Sequence, residues 1–142
     1  MKRYSVLMVA VVLGACDGSA TRPEPDPAPV VVEVTAVVNV QLAAAQPGAE
    51  PLYIVTGQAR RIRNGVSAAA SIDSVVLSYR VADAAWVRLR RSPTFPVTGT
   101  LPFEAESGQE YSLRAQLYAH GLGEDGAVIR AEDEWVATAR AY

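Results

Sequence analysis

Apolar and polar residues alternate with a period of two over much of the chain. In VVVEVTAVVNVQL, positions 32, 34, 36, 38, 40 and 42 are Val, Val, Ala, Val, Val and Leu. Positions 33, 35, 39 and 41 are Glu, Thr, Asn and Gln, and Val37 is the one apolar exception. Successive side chains of a strand point to opposite sides, so this pattern predicts a strand with one buried and one wet face. VVLSYRV places Val75, Leu77, Tyr79 and Val81 on one face. EYSLRAQLYAH does the same with Tyr111, Leu113, Ala115, Leu117 and Ala119, leaving Ser112, Arg114, Gln116, Tyr118 and His120 on the other. Weaker alternation predicts strands in LYIVTGQARRI, AWVRLR, PVTGTLPFEA and AEDEWVATARA. Turn-forming clusters separate them: QPGAEP, RNGVS, ADAA, RRSPTFP, ESGQ and GLGEDG. RRIRNGVSAAAS reads either as a long loop or as a short helical turn.

About seven short strands, frequent turns and no long helical period predict an all-β fold, a single antiparallel β-sandwich. Two segments, VVLSYRVADAAWVRL and LPFEAESGQEYSLRAQLYA, resemble the fibronectin type III and immunoglobulin-like family. The first is a strand pair carrying Tyr79 and Trp86. In the second, Leu101 and Pro102 open a corner segment. Tyr111 then begins an alternating strand after an acidic, Gly-containing turn, as the corner tyrosine of those sandwiches does. WVAT near the end resembles their closing strand. The resemblance spans most of residues 30–142.

The N-terminal pattern is of another kind. Lys2 and Arg3 precede an unbroken apolar run over residues 6–13, and the small residues Gly14 and Ala15 follow. That is the layout of a secretory signal, too short for a membrane span of about 20 apolar residues. Leu13, Gly14, Ala15 and Cys16 resemble the lipobox of bacterial lipoproteins. The resemblance implies a diacylglyceryl group on the Cys16 thiol, cleavage before it and acylation of the new amine. Two or more acyl chains anchor stably where one binds only marginally. Cys16 is also the only cysteine, so no intramolecular disulfide can form. Asp17 resembles the signal that retains lipoproteins in the inner membrane of enteric-type bacteria. This favours the periplasmic face of that membrane, with the outer membrane or cell surface as the alternative. Residues 17–29, DGSATRPEPDPAP, hold four prolines and almost nothing apolar. They predict a semi-rigid tether that, extended, reaches about 40 Å. The expected organisation is a leader over residues 1–15, a lipidated cysteine and tether over 16–29, and a sandwich over 30–142.

Charge and motifs narrow the chemistry. The chain holds 13 Lys and Arg against 15 Asp and Glu, and Lys2 and Arg3 fall within the leader. A mildly acidic remainder without lysine is poorly suited to neutralising nucleic-acid phosphates. His120 is the only histidine, which excludes a multi-histidine metal centre, and it reads as an exposed residue at a strand end. GLGEDG has the letters of G-x-G-x-x-G, but it follows an antiparallel-type strand and opens no long helix. Glu124 and Asp125 would repel phosphate there, so it reads as a hairpin loop rather than a nucleotide site. The acidic runs at Glu124 and Asp125 and at Glu132, Asp133 and Glu134 lack the spacing of a calcium loop. No catalytic residue, metal ligand or cofactor is expected. One surface stands out. If AWVRLR buries Val87 and Leu89, then Trp86, Arg88 and Arg90 share its other face, while Arg114, Gln116 and Tyr118 form an outward row on their own strand. On one sheet these six would make an Arg and aromatic surface of the kind enriched at interfaces. The expected function is therefore a lipid-anchored, non-catalytic binding or assembly module of the bacterial cell envelope. It would act on another envelope protein or a glycan, without nucleic acid or nucleotide. The alternative is an envelope hydrolase or glycan-binding protein using the acidic loop residues or the Arg and aromatic face.

Overall fold

A computed structural model describes residues 25–142; the leader, Cys16 and Asp17 lie outside the described residues. Eight strands come in the order β1 (Val32–Leu42), β2 (Leu52–Arg63), β3 (Val66–Ala69), β4 (Ser71–Val81), β5 (Val87–Ser92), β6 (Val97–Thr100), β7 (Glu110–Leu122) and β8 (Val128–Arg140). They form two antiparallel sheets. In one, β1 pairs along the length of β2, while β3 and β6 divide the other edge of β2 between them. The second has the order β5-β4-β7-β8. The sheets pack face to face as a β-sandwich, with one strand more than the seven expected.

The period-two reading places the core. β1 buries Val32, Val34, Val38 and Val40, while Val37 is 48% exposed on the wet face. Register pairs Val75 with Leu117, Leu77 with Ala115, Tyr79 with Leu113 and Val81 with Tyr111, so the two expected apolar faces meet rung by rung. Val75, Leu77, Tyr111, Leu113, Ala115 and Leu117 join Val38, Val40, Tyr53 and Val55 from the facing sheet in the main core, with Tyr79 packed against it. A smaller cluster of Val32, Val34, Ile129 and Ala131 closes one end.

RRIRNGVSAAAS is neither loop nor helical turn. β2 runs on to Arg63 and returns as β3 through Asn64 and Gly65, with φ of 49° and 80°. Two successive left-handed residues make the two-residue hairpin turn whose twist suits the strands, and Asn-Gly is its favoured sequence. The eighth strand comes from this hairpin.

The edges formed by β3 and β6, by β5 and by β8 are blunted. β3 and β6 have four residues each, and β6 begins directly after Pro96. The pairing of β5 with β4 shifts register between Leu77 and Ser78. β8 carries Asp133 on its inward face, where Oδ2 accepts the Val38 N–H of β1 at 2.9 Å. Bulges, short strands and inward charges all disfavour addition of a foreign strand.

Tyr111 is fully buried and ties the two sheets together. Its hydroxyl accepts the Ala45 N–H and donates to the Ala43 carbonyl, each at 2.8 Å. A tyrosine placed at the corner by sequence thus reaches the β1–β2 loop. That loop, residues 101–109 and the β4–β5 turn form one end of the sandwich. The opposite end has the β2–β3 and β7–β8 hairpins and Val31, whose carbonyl accepts the Asn64 N–H at 3.3 Å.

Candidate functional site

The outer face of the β5-β4-β7-β8 sheet carries most of the residues singled out by sequence. Trp86 ends the β4–β5 turn. That turn begins at Ala82, held at φ 47° with its N–H on the Glu110 carbonyl at 2.7 Å. Trp86 lies over the sheet rather than in the core. The guanidinium carbons of Arg80 and Arg114 each stand 4.6 Å from its ring centroid. Cation–π attraction holds two like charges at one ring. The Nε atoms of both arginines are buried without a hydrogen-bond partner, and neither residue forms an ion pair among the described residues. Register sets Arg88 and Arg114 on either side of Ser78, which brings a third guanidinium to the neighbouring strand.

The remaining expected residues separate. Gln116 donates from Nε2 to Glu134 Oε2 at 3.0 Å, across to β8. Tyr118 stands opposite Ser74, farther from Trp86, and is 37% exposed. Arg90 falls out of step: the register shift pairs it with core-facing Leu77, and Arg91 instead stands opposite outward Val76. Val87, expected inside, is 49% exposed. Arg80 escaped the sequence reading, although its even position in VVLSYRV already placed it opposite the core face.

A second group occupies the other end of the same face. β4 shifts register against β7 between Ile72 and Ser74, and Asp73 reaches His120, with Oδ1 2.6 Å from Nδ1. Asp73, Ser74, Arg91, Tyr118, His120 and Arg130 line a shallow open cleft, together with Val128. Ser74 is only 2% exposed, yet its Oγ has no hydrogen-bond partner. The serine–imidazole bond of a Ser-His-Asp triad is therefore not formed, although all three residue types are present. Nothing in the local sequence around His120 signalled Asp73, because the two are joined only by strand pairing.

The acidic runs disperse. Glu124 accepts from Arg63 Nε at 2.8 and 2.9 Å and lies 3.9 Å from Arg61. The Arg63 hydrogen bonds hold its carboxyl below the usual range and raise the Arg63 guanidinium. Asp125 Oδ1 accepts the Ala127 N–H at 3.0 Å within the β7–β8 hairpin, which is where GLGEDG sits. Asp133 turns inward and Glu134 bonds Gln116. None of these carboxylates lines the cleft beside His120, where glycoside hydrolysis would require a facing pair. Among the described residues, no three His, Cys, Asp or Glu side chains gather as a metal-binding group. Comparison with protein-family models finds no match, and comparisons with curated proteins and with solved structures find none either.

Proposed function

We propose that this chain is a lipid-anchored, non-catalytic binding or assembly module of the bacterial cell envelope. It presents the outer face of the β5-β4-β7-β8 sheet to another envelope protein or a glycan. One observation carries the reading: the Trp86 ring is flanked by the unpaired arginines Arg80 and Arg114. A half-buried aromatic ring with guanidiniums stacked on it makes an Arg and aromatic surface whose ring edge and cations can meet a partner's acceptors. The platform lies at the end of the sandwich away from Val31, so a tether leading back to a lipidated Cys16 would leave it facing outward. The order of the two sheets and the buried Tyr111 also support the resemblance to fibronectin type III domains.

The test has two arms. Cys16→Ala should move the protein out of the membrane fraction, and retention there would sink the anchoring. Trp86→Ala and Arg114→Ala should each lose the envelope partner that the wild type captures from solubilised membranes. Thr98→Ala, on the opposite sheet, should keep it. Equal capture by all four proteins would remove this face from the proposal.

A further inference from the structure

The cleft at the Val128 end of the outer face holds a second, separate grouping of cations and hydroxyls. We propose that it is an oxyanion site that takes the phosphoryl group of a small molecule, held by Arg91 and Arg130 with Ser74, Tyr118 and His120. Arg91 on β5 and Arg130 on β8 face the same space from opposite edges of the sheet. Neither forms an ion pair among the described residues. Ser74 supplies an independent mark of a ligand: its hydroxyl is buried in the cleft lining and has no partner. A buried hydroxyl left unbonded is unfavourable, and a rotation of the Ser74 side chain that brings it to an accepting oxygen in the cleft relieves this.

The carboxylate of Asp73, which also lines the cleft, is set against the two guanidiniums of Arg91 and Arg130. Its Oδ1 is turned onto His120 Nδ1 at 2.6 Å, which leaves the imidazole Nε2 as the free ring nitrogen. Nε2 can accept from a P–OH or, when protonated, donate to a P–O⁻. Glu132 pairs with Tyr118 on the neighbouring strand but does not line the cleft. The donor set also selects among anions. A single guanidinium fork satisfies both oxygens of a carboxylate. Two guanidiniums and two hydroxyls offer more donors than a carboxylate can accept, and they suit a phosphoryl group with two or three free oxygens. The cleft is shallow and open, which suits a small group held at the surface by charge rather than an enclosed ligand. This inference does not depend on partner binding at Trp86, and either can fail without the other.

The test titrates the full chain in detergent with inorganic phosphate and glycerol 3-phosphate at constant ionic strength, followed by amide NMR. Saturable shifts should centre on Ser74, Arg91, Tyr118 and Arg130. Arg91→Ala and Arg130→Ala should each weaken binding about tenfold, the value of a charge-assisted hydrogen bond, and the double variant should lose it. Arg60→Ala, a cation on the other sheet, should bind as the wild type does. Preserved amide dispersion in each variant separates lost binding from lost fold. Dimethyl phosphate then distinguishes the source of the group. Tighter binding of the monoesters points to a soluble phosphate ester, and tighter binding of the diester to a lipid headgroup. No saturable shift up to about 50 mM phosphate, weaker than any affinity two guanidiniums should give, overturns the site. So does unchanged affinity in the double variant.

Discussion

Tyr111→Phe removes one oxygen atom, and the structure fixes what that oxygen does. It accepts the Ala45 N–H and donates to the Ala43 carbonyl, both at 2.8 Å. Phenylalanine keeps the ring, and with it the edge contact to Phe103 at 5.6 Å between centroids. The two lost partners differ in consequence. Ala43 is exposed, and water replaces the hydroxyl at its carbonyl for little free energy. Ala45 is 7% exposed, so its N–H is left unsatisfied inside the protein. An orphaned buried donor is unfavourable by about 1–3 kcal/mol and a resolvated carbonyl by a few tenths, so the expected loss is about 2 kcal/mol. Urea unfolding at 25 °C should show a lower midpoint at unchanged slope, since the surface exposed on unfolding is the same. For a domain of this size the melting temperature should fall by about 8 °C. Tyr111→Leu also empties the ring's volume and should lose about 3–5 kcal/mol. A Tyr111→Phe protein within about 0.5 kcal/mol of the wild type would refute the reasoning, because the hydroxyl would then hold nothing that water cannot.

Gly57→Ala should destabilise the domain by about 1–3 kcal/mol, because a Cβ there would lie 2.6 Å from the Phe95 ring. Thermal unfolding of Gly57→Ala with Phe95→Leu added should recover part of that loss. Asp133→Ala strips the acceptor from the Val38 N–H and should cost about 1–3 kcal/mol in urea unfolding. Hydrogen exchange at the Val38 amide should accelerate in the same variant. Glu124 has its folded pKa pulled below 4.5 by the Arg63 hydrogen bonds, so its stabilising contribution is present above the unfolded value. It is lost as pH falls through the lowered folded value. The Glu124→Gln variant should therefore be slightly less stable than the wild type at neutral pH, the gap being small because the pair is exposed. The two proteins should converge in acid, and a gap that widens there would contradict the sign.

The core was legible because burial reads only parity. Val75, Leu77, Tyr79 and Val81 needed no knowledge of their partners to be placed on one face, and register then set them against Tyr111, Leu113, Ala115 and Leu117. Tyr111 was legible as a corner residue, but its bonds to Ala43 and Ala45 cross from β7 to the β1–β2 loop, a contact that no local window contains. The β2–β3 hairpin was written in the chain as Asn64 and Gly65, whose positive φ values the turn requires. The turn RNGVS was read as a turn, whereas β3 was not read as a strand, because its four residues VSAA are all exposed and show no alternation. Asp133 belongs to a run of three acids that reads as a solvated face. Only pairing with Leu117, a core residue, shows that it points inward.

The outer face of this sheet was harder to read than the core for a reason that lies in the pairings of β4. This strand carries both register shifts of its sheet, one against β7 near Asp73 and one against β5 near Leu77. Each inserted residue reverses the parity of the residues beyond it. The first shift accompanies Asp73's approach to His120, and with it the cleft between Arg91 and Arg130. The second removes Arg90 from the outward row and substitutes Arg91. From Ser74 to Val81 the pairing of β4 with β7 is regular, which is why Arg114 and Ser78 fall where alternation puts them. Bulges of this kind re-aim side chains while leaving the buried face intact, because the core needs only apolar volume whereas a site needs particular atoms in reach. A variant that deletes Asp73 tests this directly. It should restore regular pairing between β4 and β7 and remain folded. It should also lose the His120 contact, and with it the geometry of the cleft.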